Sequence, residues 1–199
     1  KPGYGTSTNR AKNAIHVGAV NEVGELASTS SRGPQDDGRL FPTICAKGVD
    51  VWSTMPGNTY AKMSGTSMAC PTVTGTAALI QQRYGQLHQG RHIRADLLKG
   101  LLANTATDAG VKGPDFQYGY GIMNGEKATL ALEQGQYLFD SVATGDTRMK
   151  RIDIPANCQG LRVMLVWTDP PTKKALYWGD KTLINNLDLS LTANGTPYL

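Results

Sequence analysis

At 199 residues the chain is long enough for one domain and a portion of another. Its composition, 40% hydrophobic and 18% charged, is that of a globular protein, and no apolar run approaches the ~20 residues of a membrane span. The net charge of +4 is scattered, without the basic stripe and stacking aromatics that nucleic-acid binding needs, so neither a nucleic acid nor a membrane is expected as a partner.

The elements follow in chain order. Asn13 to Val20 is mostly apolar and β-branched and predicts a buried strand. Ser28 to Arg39 is rich in Ser, Gly, Pro and Asp and reads as a loop. Phe41 to Cys45 and Val49 to Ser53 are short strands around Lys47-Gly48, and Met55-Pro56-Gly57-Asn58 is a turn. A helix is predicted from about Thr66 to Tyr84, ended by Gly85. Its first half is apolar on all sides, which predicts full burial. Pro71 lies in its first turns and would clash with the Ser67 carbonyl, predicting a distorted start. Arg94 to Asn104 is a second helix with a leucine stripe, and Asn124 caps a third, running to Glu133. From about Tyr137 the pattern changes to strands, at Tyr137 to Val142, Met149 to Ile154, Leu161 to Trp167 and Leu187 to Thr192. Several of them alternate polar and apolar residues as in an antiparallel sheet. Arg148-Met149-Lys150-Arg151 reads as a solvated turn.

The stretch that carries chemistry is Gly65-Thr66-Ser67-Met68-Ala69-Cys70-Pro71. It sets a serine at the mouth of a helix, among residues small enough for another backbone to approach. A helix start offers unsatisfied N–H donors and partial positive charge where an oxyanion would form. A lone serine there would by default be an N-cap. The whole motif and its flanks favour a nucleophile instead.

The motif resembles the nucleophile signature of the subtilisin-like serine proteases. Ala14 to Val20 resembles that family's core strand, Ser30 to Pro34 and Asp37 to Arg39 follow at the expected distance, and Ala46-Lys47-Gly48 resembles its Ala-Pro-Gly loop. Gly119-Tyr120-Gly121 resembles its closing segment. Lys47 stands in place of the loop's proline, and Thr72 where many relatives carry histidine. The resemblance covers roughly residues 1–135. It implies an α/β fold: residues 1–136 as the C-terminal portion of a parallel-sheet peptidase domain. It implies Ser67 as the catalytic nucleophile and the Ser67 backbone N–H as an oxyanion donor. Thr6, Ser7, Gly65, Thr66 and Met68 are its candidate substrate-binding residues.

Family order is Asp, then His, then Ser. Only 66 residues precede Ser67, so the triad's Asp and His are expected in an upstream segment, and the chain is expected to begin inside a catalytic domain. His16 alternates along an apolar strand and reads as structural. His88 and His92 lie about twenty residues along from the helix start, roughly 30 Å at ~1.5 Å per residue. A general base must come within about 3 Å of its proton. Cys45, Cys70 and Cys158 are odd in number and form no Cys-x-x-Cys pair, which argues against metal ligation.

Residues 137–199, through Val166-Trp167-Thr168-Asp169 and Asn185 to Leu189, resemble the jelly-roll β-sandwich that follows the catalytic domain in some secreted alkaline subtilases. About four strands are counted where a jelly roll needs about eight, so a partial sandwich is expected. Asp169, Asn186 and Asp188 are candidate ligands for structural calcium, with turn formation as the alternative. Asn194-Gly195-Thr196 fits a glycosylation sequon, though a hairpin turn fits it as well. The resemblance implies a secreted serine endopeptidase acting on protein or peptide substrates, needing no cofactor for catalysis, the isolated chain being inactive. The alternative is a non-catalytic pseudoprotease or binding protein that uses the sandwich.

Overall fold

The computed structural model describes residues 11–172, 180–193 and 196–198. Thr6, Ser7 and the Asn194-Gly195 pair of the sequon lie outside them.

β1 (Val17–Val20) runs parallel to β2 (Ile44–Lys47), with Val17 opposite Ile44 and Val20 opposite Lys47. Apolar β-branched residues favour these strands, and Ala19, Val20, Ile44 and Cys45 are buried. The backbone of Tyr120–Met123 extends this sheet on the other side of β2. Tyr120 N–H donates to the Thr43 carbonyl at 2.9 Å, Cys45 N–H to Gly121 at 2.9 Å and Met123 N–H to Cys45 at 2.8 Å. That close approach explains the glycine in Gly119-Tyr120-Gly121. Gly119 has φ +66°, and a Cβ there would lie 2.3 Å from the Pro42 carbonyl oxygen.

β3 (Val51–Met55) and β4 (Thr59–Met63) form an antiparallel hairpin turned at Gly57 and Asn58, both with positive φ. β4 leads straight into α1 (Thr66–Leu87). α2 (Ala95–Asn104) and α3 (Gly125–Glu133) complete the packing. Asn124 caps α3 as expected, its side chain accepting from Lys127 N–H at 2.9 Å. The core joins Ala19, Ile44 and Ala46 of the sheet to Ala69, Val73 and Ile80 of α1, Leu101 and Leu102 of α2, and Ala128 and Leu132 of α3.

Three expectations need correction. α1 is not buried all round: Ala69, Val73, Ile80 and Tyr84 face the core, while Thr72, Thr74, Ala78 and Leu79 are exposed. One small sheet and two helices cover a single stripe of it. Nor does α1 stop at Gly85. It continues to Leu87, beyond which positive φ at Gln89 and Gly90 turns the chain back and Gly90 N–H reaches the Gly85 carbonyl at 2.8 Å. Finally, the strands expected at 137–142, 149–154 and 161–167 do not form, and 138–162 is exposed throughout. Among the described residues past 137, the strand pairing is that of β5 (Leu191–Ala193) with β6 (Thr196–Tyr198). Alternation in a sequence marks the face a strand could bury. A strand itself needs a neighbour for its backbone N–H and C=O groups, and these segments have none among the described residues.

Leu102, 1% exposed at the centre of the core, should be costly to truncate, and Leu79, 66% exposed, should not. Urea unfolding should place Leu102→Ala about 2–5 kcal/mol below the parent and Leu79→Ala within about 0.5 kcal/mol of it.

Candidate active site

The mouth of α1 is built from backbone contacts among glycines. Gly48, just past β2, donates its N–H to the Val20 carbonyl at the end of β1, at 2.9 Å. Its own carbonyl accepts from Gly65 N–H at 2.7 Å. A Cβ on Gly48 would lie 2.6 Å from the Gly65 carbonyl oxygen, 2.8 Å from Ala19 Cβ and 3.0 Å from Ala69 Cβ. Only glycine lets the end of the sheet come this close to the start of the helix.

Gly65 is the N-cap residue, with φ +153°, a backbone setting that side chains rarely tolerate. Its carbonyl accepts from Met68 N–H at 3.0 Å and Ala69 N–H at 3.3 Å, which winds the first turn tightly. The Thr66 and Ser67 N–H groups donate to no backbone carbonyl among the described residues. Two unsatisfied donors therefore sit at the positive end of a 22-residue helix. Ser67 is exposed, and the neighbouring Ala69 is fully buried, so the hydroxyl stands on a fixed base. Gly65, Thr66 and Met68 flank it, each half-buried.

Behind Ser67, Pro71 lacks the N–H that would bond the Ser67 carbonyl, yet α1 is continuous from Thr66. Thr72, in the position where the resemblance leads one to expect histidine, donates its hydroxyl to the Met68 carbonyl at 3.1 Å and lies 3.5 Å from the Lys47 carbonyl. It thus laces the helix to the end of β2. Lys47 itself pairs with Glu22. The roles of Gly48, Ser64 and Thr72 go beyond what sequence reasoning finds. Gly48 is legible only as a member of a loop motif. Ser64 anchors the hairpin by accepting from Asp50 N–H at 2.9 Å and carries no motif of its own.

None of the histidines serves Ser67. His88 closes the opposite end of α1. Its ring stacks on Tyr84 at 3.9 Å, Nδ1 lies 2.9 Å from the Tyr84 carbonyl and Nε2 2.9 Å from the Tyr137 hydroxyl. A helix C-terminus favours such a donor. His16 leads into β1, its N–H donating to Thr43 Oγ1 at 3.1 Å and its ring tilted against Phe41. Burial, then the Lys99 and Arg39 charges, push its imidazolium below the ordinary range. His92 is exposed in the loop before α2. The Ser67 hydroxyl has no hydrogen-bond partner among the described residues. Cys45 is no substitute nucleophile: burial, with Asp115 nearby, pushes its thiol up to about 12.

The calcium candidates divide. Asn186 and Asp188 are exposed. Asp169 is buried, and its carboxylate is already engaged by Lys12 Nζ at 2.5 Å, Ile184 N–H at 2.9 Å and Asn185 N–H at 2.8 Å. An ammonium and two N–H donors occupy the lone pairs a cation would use, so this arrangement does not fit calcium. No group of three His, Cys, Asp or Glu among the described residues is arranged to hold a metal.

The family model described as the subtilase family matches residues 4–121. The chain is 41% identical over 114 residues to Subtilisin DY of Bacillus licheniformis, covering 57% of this chain and 36% of that protein. It is 40% identical over 120 residues to Subtilisin Savinase of Lederbergia lenta, covering 60% of this chain and 39% of that protein. It is 39% identical over 120 residues to Alkaline elastase YaB of Bacillus sp. (strain YaB), covering 60% of this chain and 28% of that protein. The chain thus spans well under half the length of these relatives.

Gly48→Ala should cost roughly 1–3 kcal/mol by overpacking, read by urea unfolding. Acid unfolding should also carry an Asp169 signature. Burial raises its carboxyl, but Lys12 and the Ile184 and Asn185 N–H groups outweigh that and hold it at about 2, below the ordinary 3.8. A depressed carboxyl contributes its stability above the unfolded value and loses it as pH falls through the folded one. The parent should therefore exceed Asp169→Asn in stability near neutral pH, and the two should converge between about pH 4 and pH 2.

Proposed function

The chain belongs to the subtilase family, and from that premise we propose that it is the nucleophile-bearing portion of a subtilisin-like serine endopeptidase. The observation that carries the proposal is Ser67, exposed at the mouth of α1 beside two N–H groups without backbone acceptors among the described residues.

In this reading Ser67 Oγ attacks the carbonyl carbon of a peptide bond. A histidine takes the hydroxyl proton and later delivers it to the leaving amine, and an aspartate holds that histidine's other nitrogen. Both residues come from a segment N-terminal to this sequence, in keeping with family order and with the place of His88 at the opposite end of α1. The Ser67 N–H supplies one oxyanion donor, and the upstream segment supplies a second from a side-chain amide. Water then hydrolyses the acyl-enzyme with the same histidine as base. Substrates are proteins or peptides, and catalysis by a triad calls for no cofactor. The resemblance to secreted alkaline subtilases favours an activity outside the cytoplasm.

Subtilisin itself sets the scale for what the chain does alone. There, loss of the base costs on the order of 10⁶ in turnover and loss of one oxyanion donor about 10²–10³. The isolated chain is therefore inactive in this reading.

A fluorophosphonate probe located by mass spectrometry tests it. The 199-residue chain should remain unlabelled, and a longer chain carrying the upstream segment should label at Ser67, with Ser67→Ala abolishing the label. Failure of the longer chain to label would favour a non-catalytic binding protein. Labelling of the short chain would mean that a base is present within it.

A further inference from the structure

The C-terminal third of the chain is uneven in how it meets the rest. Residues 138–162 are exposed throughout and form no helix or strand. Two short stretches, 162–169 and 182–185, make a dense set of bonds to α2 and to Lys12-Asn13, the approach to β1.

Asp169 is the centre of that set. It is 5% exposed, and its carboxylate and backbone are all engaged. The carboxylate gathers Lys12 from the approach to β1 and the Ile184 and Asn185 N–H groups from the returning chain. Its backbone is read by one side chain. Asn13 Oδ1 accepts from Asp169 N–H at 3.1 Å and Asn13 Nδ2 donates to the Asp169 carbonyl at 2.9 Å. An amide side chain here takes the place of a strand neighbour. Lys12 Nζ also donates to the Thr182 carbonyl at 2.6 Å, and the Lys12 carbonyl accepts from Lys99 of α2 at 3.3 Å.

A second contact sits on α2. Arg162 Nη1 donates to the Asn104 and Ala106 carbonyls at 3.1 and 3.0 Å, and Asn104 Nδ2 returns a bond to the Arg162 carbonyl at 3.3 Å. A guanidinium at a helix C-terminus satisfies orphan carbonyls and lies with the dipole. Between the two contacts, Val166 rests on Gly100 of α2, where an added Cβ would lie only 3.4 Å from Val166 Cγ2.

We propose that 162–169 and 182–185 form an intramolecular clamp, with Asp169 as its keystone, that locks α2 to the approach to β1. Through the clamp, the C-terminal stretches and the subtilase region become a single cooperative unit joined across an exposed connector. Its logic is one of burial. A buried carboxylate deprived of a partner is costly, so Lys12, Asn13 and 182–185 are held or released together. The proposal stands apart from the catalytic reading.

Amide hydrogen exchange of the intact 199-residue chain tests it, comparing the parent with Asp169→Asn and Arg162→Gln. Asp169→Asn keeps shape and backbone but removes the charge that holds Lys12. It should speed exchange at least about tenfold in Ile184-Asn185 and also across Asn13 to Ala19, leaving β3 and β4 at parental rates. Arg162→Gln should speed exchange several-fold at 102–106, in the last turn of α2. Faster exchange at 184–185 alone, with 13–19 and 102–106 unchanged, would overturn the clamp and make this segment a passenger on the core. Should Asp169→Asn not fold, the Arg162→Gln result decides by the same criterion, since Arg162 is exposed and removable without a buried charge being stranded.

Discussion

The arrangement around Ser67 depends on one pair of backbone hydrogen bonds. Gly48 N–H meets the end of β1 and the Gly48 carbonyl meets Gly65 N–H, so the sheet and the start of α1 are joined through a single residue. A helix can place a serine at its mouth unaided, but it cannot fix where that mouth lies relative to the sheet. Gly48 does so at separations that exclude even a methyl group. The hairpin of β3 and β4 leaves the same residue and returns to the same helix, with Ser64 and Asp50 bonding across its base. Ser67 is thus held by a closed circuit of backbone: β1, β2, the hairpin and α1. Preorganised donors of this kind need no reorganisation as charge develops, which is their advantage in catalysis.

A division of labour follows between the two ends of α1. At its start, two N–H groups find no backbone acceptor among the described residues. Its end is closed by His88 and by the turn through Gly90. At the C-terminus of α2 the closure comes instead from Arg162, in a distant stretch of the chain. Polar groups that could have stayed solvated instead join segments far apart in sequence. Unlike apolar contacts, these bonds have fixed partners and so define one register.

Much of this is legible in the sequence where local chemistry dictates the outcome. The seven residues from Gly65 to Pro71 announce an exposed serine at a helix start. Asn124 announces the cap it makes, and the spacing from Ser67 to His88 rules out a base because helical rise is fixed. What cannot be read depends on neighbours. The apolar character of α1 suggests burial on all sides, yet burial is a property of what covers a helix, and only one stripe is covered. The alternating stretches after Tyr137 suggest strands, but a strand exists only beside another. Asp169 reads either as a candidate cation ligand or as a turn former, because carboxylates in loops serve as both. Lys12, 157 residues away, is the cation it holds, and no local pattern could name it. Lys47 and Thr72 both lie at the join between β2 and α1, where Thr72 adds a bond to the Met68 carbonyl.

The bond between Gly65 and Gly48 decides where the mouth of α1 lies. Residue-resolved amide exchange by NMR reads it directly. Gly65 precedes the helix, so helical hydrogen bonding cannot protect its N–H, and protection there can only come from the Gly48 carbonyl. Gly65 N–H should exchange slowly, with the amides of β2, while Ser67 N–H should exchange at close to the unprotected rate. Rapid exchange at Gly65 would mean that the sheet does not hold the helix mouth, and that the position of Ser67 is set by something other than this contact.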